Sequence, residues 1–244
     1  MNNDLHTSSD EIDTSANKID YAVSAIKGSV GLIPWIGPLV AEVIGNLIPN
    51  QRIDRIDKYL RVLAEKVRMI EREQLESRFH DPGFIDLFED SLHQVIKALT
   101  QERIEHIASL VKNSLSDEQA EYIRYKHLLG LLSELNDIEV LLLQSYSLLS
   151  PSKHEQFWEQ HKDVLSNPIA VFSSPQEEID KSVVHDSYKD HLVRLGLFRP
   201  RFVRPRKDEP PELDTKTGMV KAHGYEITPL GRLLVRHIDL DETE

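Results

Sequence analysis

An apolar residue recurs every three or four positions from Ile53 to Ile70, and this spacing constrains the fold more than any other feature of the sequence. Such spacing places the apolar side chains along one side of a helix, like the seam of a coiled coil. Most of the intervening residues are charged. The seam predicts either a helix packed inside a bundle or one helix of a dimeric coiled coil. Its members are Ile53, Ile56, Leu60, Leu63, Val67 and Ile70.

Helical spacing of apolar residues continues through the middle of the chain, which predicts a mainly α fold. Residues of the hydrophobic class make up 40% and aromatic residues 7% of the sequence, which fits a helical globular core. Ser116-Asp117-Glu118-Gln119 has the pattern of a capping box and predicts a helix start. Asn136 or Asp137 predicts another start, and residues 167–173 (NPIAVFS) are expected to be a linker.

The segment 28–49 is the part of the chain least like a soluble surface. Its small residues at a spacing of four would form one ridge on a helix, which allows a second backbone to approach closely. Pro34 and Pro38 favour a bent loop around Trp35, which is a further candidate packing residue. Because Glu42 and the prolines interrupt the run, a single clean membrane span is not expected. Interfacial or oligomeric membrane packing and burial in a soluble core both stay open. The ridge residues are Gly37, Ala41 and Gly45.

Composition and motifs argue against several classes of protein. The net charge of −12 disfavours general affinity for nucleic acid, and the absence of cysteine excludes disulfides and thiolate metal sites. His154 lacks a second histidine four residues later, so it does not begin a zinc-protease motif. His185 and His191 are interpreted as surface residues on different helix faces. We therefore predict a non-enzymatic protein with no metal and no cofactor.

The last fifty residues have a different character from the helical middle. A helix is expected to end at Gly196, where a glycine tolerates positive φ. Two short β-prone pieces follow, at Phe202-Val203 and Tyr225–Ile227, and Thr228-Pro229 opens a final helix. This order is typical of a winged helix-turn-helix. The predicted organisation is a disordered tail at 1–15, a hydrophobic or amphipathic segment at 16–50, a bundle-like helical region at 51–133 and a winged-helix-like unit with a helical insertion at 134–244.

A cluster of basic residues falls where the wing of such a unit would lie. In this position the cluster is placed to contact phosphates. Acidic residues follow directly at 208–214 (DEPPELD), which favours a solvated or protein-binding wing over nucleic-acid binding. Nucleic-acid contact stays open as the alternative. The basic residues are Arg199, Arg201, Arg204, Arg206 and Lys207.

The ending Tyr225-Glu226-Ile227-Thr228-Pro229-Leu230-Gly231-Arg232-Leu233-Leu234, after the LGL at 195–197, resembles the tail of the bacterial abortive-infection alpha proteins. Those proteins are associated with phage resistance. The resemblance implies a role in antiviral defence and implies no catalytic residues.

Together these features predict a non-catalytic effector or partner protein of antiviral defence. It would reside in the cytoplasm and associate with the inner membrane through residues 28–49. Its expected partners are another protein or further copies of itself. The alternative is a cytoplasmic winged-helix regulator that binds nucleic acid or a protein.

Overall fold

The computed structural model describes residues 52–117, 121–166, 174–203, 205, 210–213, 218 and 220–241. The predicted tail, the segment 16–50 and the linker 167–173 lie outside these residues. The described chain is mainly helical, as predicted, with ten helices and one two-stranded sheet. The helices are α1 Ile53–Lys66, α2 Arg72–Phe79, α3 Pro82–Val95, α4 Gln101–Ser116, α5 Tyr122–Glu134, α6 Asp137–Ser147, α7 Pro151–Gln160, α8 Lys162–Leu165, α9 Gln176–Arg194 and α10 Pro229–His237; the strands are β1 Phe198–Phe202 and β2 Ala222–Ile227.

The chain divides into two compact units, one up to Leu132 and the other from Ser133 onward. In the first unit, α1 packs mainly on α4 and also on α3, and α2 packs on both of those helices. The seam of α1 is buried in this packing, as the bundle interpretation expects. The helix ends at Lys66, so Ile70 lies beyond it and only half-buried. The helical seam is therefore shorter than predicted. Its buried members are Ile53, Ile56, Leu60, Leu63 and Val67.

Side-chain caps define where two helices of this unit begin. The Asp81 carboxylate accepts a hydrogen bond from the Gly83 amide at 2.8 Å and opens α3. The Thr100 hydroxyl accepts from the Arg103 amide at 3.2 Å and opens α4. The helix start predicted at Ser116 is wrong, because Ser116 is the last residue of α4 and its hydroxyl donates to Lys112 O.

A buried hydrogen bond in the first unit provides a direct test of its core. Tyr59 is fully buried, and its hydroxyl lies 2.8 Å from the Ser91 hydroxyl. We expect Tyr59→Phe to lower the free energy of unfolding by about 1 kcal/mol, because one buried hydrogen bond is lost without a cavity. Ser91 still donates to Phe88 O, so it keeps a partner. Urea denaturation of Tyr59→Phe, Ser91→Ala and the double variant measures the coupling, and strict additivity would contradict a direct bond.

In the second unit, α6 is the central element. It packs against α7, α8, α9, β2 and α10. Val140, Leu142 and Leu143 of α6 are buried. Leu234 and Val235 of α10 are buried as well. Asn136 caps α6 in a capping box with Glu139, which agrees with the predicted start. No helix among the described residues has the length and apolar character needed to cross a membrane.

Candidate functional site

The basic candidate residues lie on or beside an antiparallel ribbon formed by β1 and β2. Arg199 faces Glu226 and Pro200 faces Tyr225 across the ribbon. The register shifts before Phe202, which faces Ala222. Beyond the strands, an isolated bridge between Leu213 and Val220 extends the pairing outward.

The structure describes two of the five basic candidates. Arg199 Nε donates to Glu226 Oε1 at 2.5 Å, so its charge is balanced by the cross-strand neighbour. Arg201 is exposed. Arg204, Arg206 and Lys207 lie outside the described residues, as do the candidate packing residues Gly37, Ala41, Gly45 and Trp35.

The acidic residue Glu212 contacts two basic side chains of the same ribbon. Lys221 Nζ lies 2.5 Å and His223 Nε2 lies 3.4 Å from its carboxylate. The hydrogen bond and charge of Lys221 lower the pKa of Glu212, with a smaller effect from His223. Among the described cations of the ribbon, Arg199 and Lys221 are therefore each paired with an acidic residue of the ribbon.

The outer part of the ribbon exposes apolar side chains. Phe202 is 54% and Val203 is 59% exposed, and Leu213 and Val220 are also solvent-accessible. Exposed apolar groups that cluster mark interaction sites more often than scattered ones do. Phe202 and Val203 lie at the outer end of β1, and the Leu213–Val220 bridge lies beyond the strands. We call these four exposed residues together the apolar ribbon face.

The junction of α9, β1 and α10 holds the base of the ribbon in place. Gly196 has φ of +73°, and its amide donates to Val193 O while the Leu197 amide donates to Leu192 O. These two bonds form a Schellman motif, and the positive φ predicted for Gly196 is confirmed. Leu197 and Phe198 are buried in the core. The ring centroid of Phe198 lies 4.7 Å from that of Tyr146.

Thr228 connects the same junction to α10. Its hydroxyl accepts from the Gly231 amide at 3.0 Å and donates to Gly196 O at 2.7 Å. Its backbone amide donates to Leu197 O at 2.9 Å. The segments 195–197 and 227–231 therefore meet in space and have structural roles.

Removal of the Thr228 hydroxyl tests this connection. We expect Thr228→Ala to lower the free energy of unfolding by about 1–2 kcal/mol, because the helix cap and the bond to Gly196 are both lost. Thr228→Ser retains the hydroxyl and should retain most of the stability. Chemical denaturation of both variants distinguishes them, and equal losses would show that the hydroxyl bonds are unimportant.

The interpretation of the two histidines of α9 as surface residues is wrong for His185, which is buried, whereas His191 is half-buried against α6. His185 is 5% exposed, and its Nε2–H donates to Leu165 O at 2.8 Å. His191 Nδ1–H donates to Glu139 Oε1 at 2.7 Å, and Glu139 is 2% exposed. The other oxygen of Glu139 accepts from the Asn136 amide at 2.8 Å. Packing of α6 on α9 and α8 brings these groups together. His185 Nδ1 is buried without a hydrogen-bond partner among the described residues.

Sequence reasoning missed this buried pair because its members are 52 residues apart. The local signal was the Asn136–Glu139 capping box, which fixes the Glu139 carboxylate at the start of α6. Within the described residues, no cluster of three or more His, Asp or Glu side chains could hold a metal ion.

Comparison with known proteins gives no relative. No family model, no curated protein and no solved structure matches the chain.

Proposed function

We propose that this protein is a non-catalytic, membrane-associating effector or partner protein of bacterial antiviral defence. In this proposal the C-terminal unit binds another protein through the apolar ribbon face. Residues 28–49 supply the contact with the inner membrane. The resemblance of the C-terminal tail to abortive-infection alpha proteins supports the link to defence.

We also propose that the C-terminal unit is a winged helix adapted to protein binding. Its helices α6 and α9 pack together, and α9 leads directly through Gly196 into the ribbon. In this proposal α9 takes the place of the recognition helix and residues 203–221 form the wing. The helix α10 would be a C-terminal addition, since it follows β2 and packs on α6.

The apolar ribbon face is the observation that carries the protein-binding proposal. Its neighbours Arg199 and Glu212 are engaged in ion pairs within the ribbon. On α9, Lys181 pairs with Glu177 at 2.7 Å and Lys189 lies over the Tyr225 ring at 5.9 Å. A surface with exposed apolar groups and paired charges suits a protein partner better than a polyanion.

A phage challenge tests the proposal in cells. Wild-type protein and a Phe202→Ser/Val203→Ser variant would be expressed at equal levels, and the efficiency of plating would be measured for a panel of phages. We expect the wild type to reduce plating and the variant to restore it, because the partner contact is lost. Leu149→Ser serves as the control, since Leu149 is 80% exposed and lies in the loop between α6 and α7. If the control also loses protection, the effect is not specific to the apolar ribbon face, and the proposed partner contact there is contradicted.

The alternative function is binding of nucleic acid by the wing. It is favoured by exposed Arg201 and by the further cations at 204, 206 and 207 in the sequence. If these residues contact phosphates, replacing Arg201, Arg204 and Arg206 with alanine should flatten the slope of log affinity against log salt by about three units. Arg199→Ala should change the slope little, because Arg199 is paired with Glu226. Absence of salt-sensitive binding by the intact protein would remove this alternative.

A further inference from the structure

A pocket of about 360 Å³ lies in the C-terminal unit between α6 and α7, and none of its lining residues belongs to the apolar ribbon face. Three of its five lining residues carry rings: Tyr146 of α6, and His154 and Trp158 of α7. The other two are the acids Glu155 and Glu159. The pocket therefore combines aromatic rings with carboxylates.

Local packing holds the rings of this pocket in position. His154 and Trp158 are one helical turn apart, with ring centroids separated by 6.1 Å and planes inclined by 15°. Tyr146 packs against buried Phe198 with a centroid separation of 4.7 Å. Burial raises the pKa of Tyr146, so its phenol stays neutral across the physiological pH range. Each of the three rings therefore has an aromatic neighbour within 6.1 Å.

Charge in the pocket selects the class of ligand. Glu159 lies 3.2 Å from exposed Lys162, whereas no partner of the exposed Glu155 carboxylate is found among the described residues. The carboxylates of Glu155 and Glu159 would repel an anion, and a neutral apolar molecule would form no electrostatic interaction with them. A cation gains from the negative faces of aromatic rings, most of all from tryptophan, and from the nearby carboxylates.

We infer that the pocket formed by Tyr146, Trp158 and Glu155 with their neighbours binds an organic cation of the alkylammonium or guanidinium type. Such a head group is large enough to contact several rings and carries its charge diffusely, which lowers the cost of leaving water. The cation is either a free quaternary ammonium compound or an arginine side chain of a partner. This site is separate from the ribbon face and stands whether or not the proposed defence role is correct.

Tryptophan fluorescence gives a direct test in the full chain. The sequence has two tryptophans, so Trp35→Phe leaves Trp158 as the only one. Choline titrated into this variant should produce a saturable change in emission. Its uncharged isostere 3,3-dimethyl-1-butanol should bind about tenfold more weakly, because only the cation–π and carboxylate attraction differs. Equal binding of the two probes, or no saturation with either choline or a capped arginine amide, would overturn the inference.

Glu155 and Glu159 are exposed, so replacing them tests ligand binding without disturbing the folded core. In the Trp35→Phe background, Glu155→Gln/Glu159→Gln should weaken choline binding about tenfold while circular dichroism stays unchanged. Glu177→Gln/Glu178→Gln on α9 removes the same charge outside the pocket and should leave binding intact. Loss in both variants would show a general charge effect and contradict the site. Tighter binding of choline than of capped arginine amide would assign a free ligand, and the reverse order would assign a protein side chain.

Discussion

Replacement of Gly231 by alanine is expected to lower the free energy of unfolding of the C-terminal unit by about 2–3 kcal/mol. A β-carbon at this position would lie 2.6 Å from Leu197 O and 2.7 Å from Ile227 Cγ1. Leu197 O cannot retreat freely, because it accepts the Thr228 amide at 2.9 Å. The clash therefore strains the junction that holds α10 against the ribbon.

Gly130 of α5 provides the matched control for this substitution. A β-carbon there meets nothing within 4 Å. Alanine at Gly130 should stabilise its helix by up to about 1 kcal/mol, since alanine is the better helix former. Urea denaturation followed by circular dichroism measures both variants. A Gly231→Ala protein as stable as the wild type would show that α10 does not need the close approach.

His191→Ala is expected to destabilise the protein by about 1–3 kcal/mol, because it removes a hydrogen-bond donor from the buried Glu139 carboxylate. Glu139 is 2% exposed and would keep only the Asn136 amide. Glu139→Gln should cost less, since a neutral amide oxygen still accepts from Asn136 and an amide costs less to bury than a carboxylate.

A double-mutant cycle separates this pair from general packing. If His191 and Glu139 interact directly, His191→Ala should cost less in the Glu139→Gln background than in the wild type. Denaturation midpoints of the four proteins supply the coupling free energy. Independent, additive losses would contradict the 2.7 Å contact between the two side chains.

Local sequence signals predicted the helices and several of their ends. Apolar spacing identified α1, because residues three and four apart lie on one helix side whatever the tertiary context. Gly196 and Asn136 marked an end and a start for equally local reasons. The helix start predicted at Ser116 was wrong because a serine hydroxyl inside a helix can also donate a hydrogen bond to the carbonyl one turn earlier, as Ser116 does to Lys112 O.

Contacts between distant residues could not be predicted in the same way. The pair Glu139–His191 and the approach of Gly231 to Leu197 depend on how α6, α9 and α10 pack together. The ion pair between Arg199 and Glu226 depends on the register of the ribbon, and a one-residue slip between the strands would abolish the pair. The aromatic pocket escaped notice because Tyr146 and Trp158 come from different helices.

Membrane association of residues 28–49 is the central claim of the functional proposal, and cell fractionation tests it most directly. We expect the full-length protein to appear in the inner-membrane fraction of cells, before or during phage infection. Gly37→Leu/Gly45→Leu should shift it to the supernatant, since bulky side chains block close helix approach. Circular dichroism of that variant should be unchanged, because leucine is a good helix former. Wild-type protein that stays in the supernatant under both conditions would contradict the membrane-associating effector and favour the winged-helix regulator.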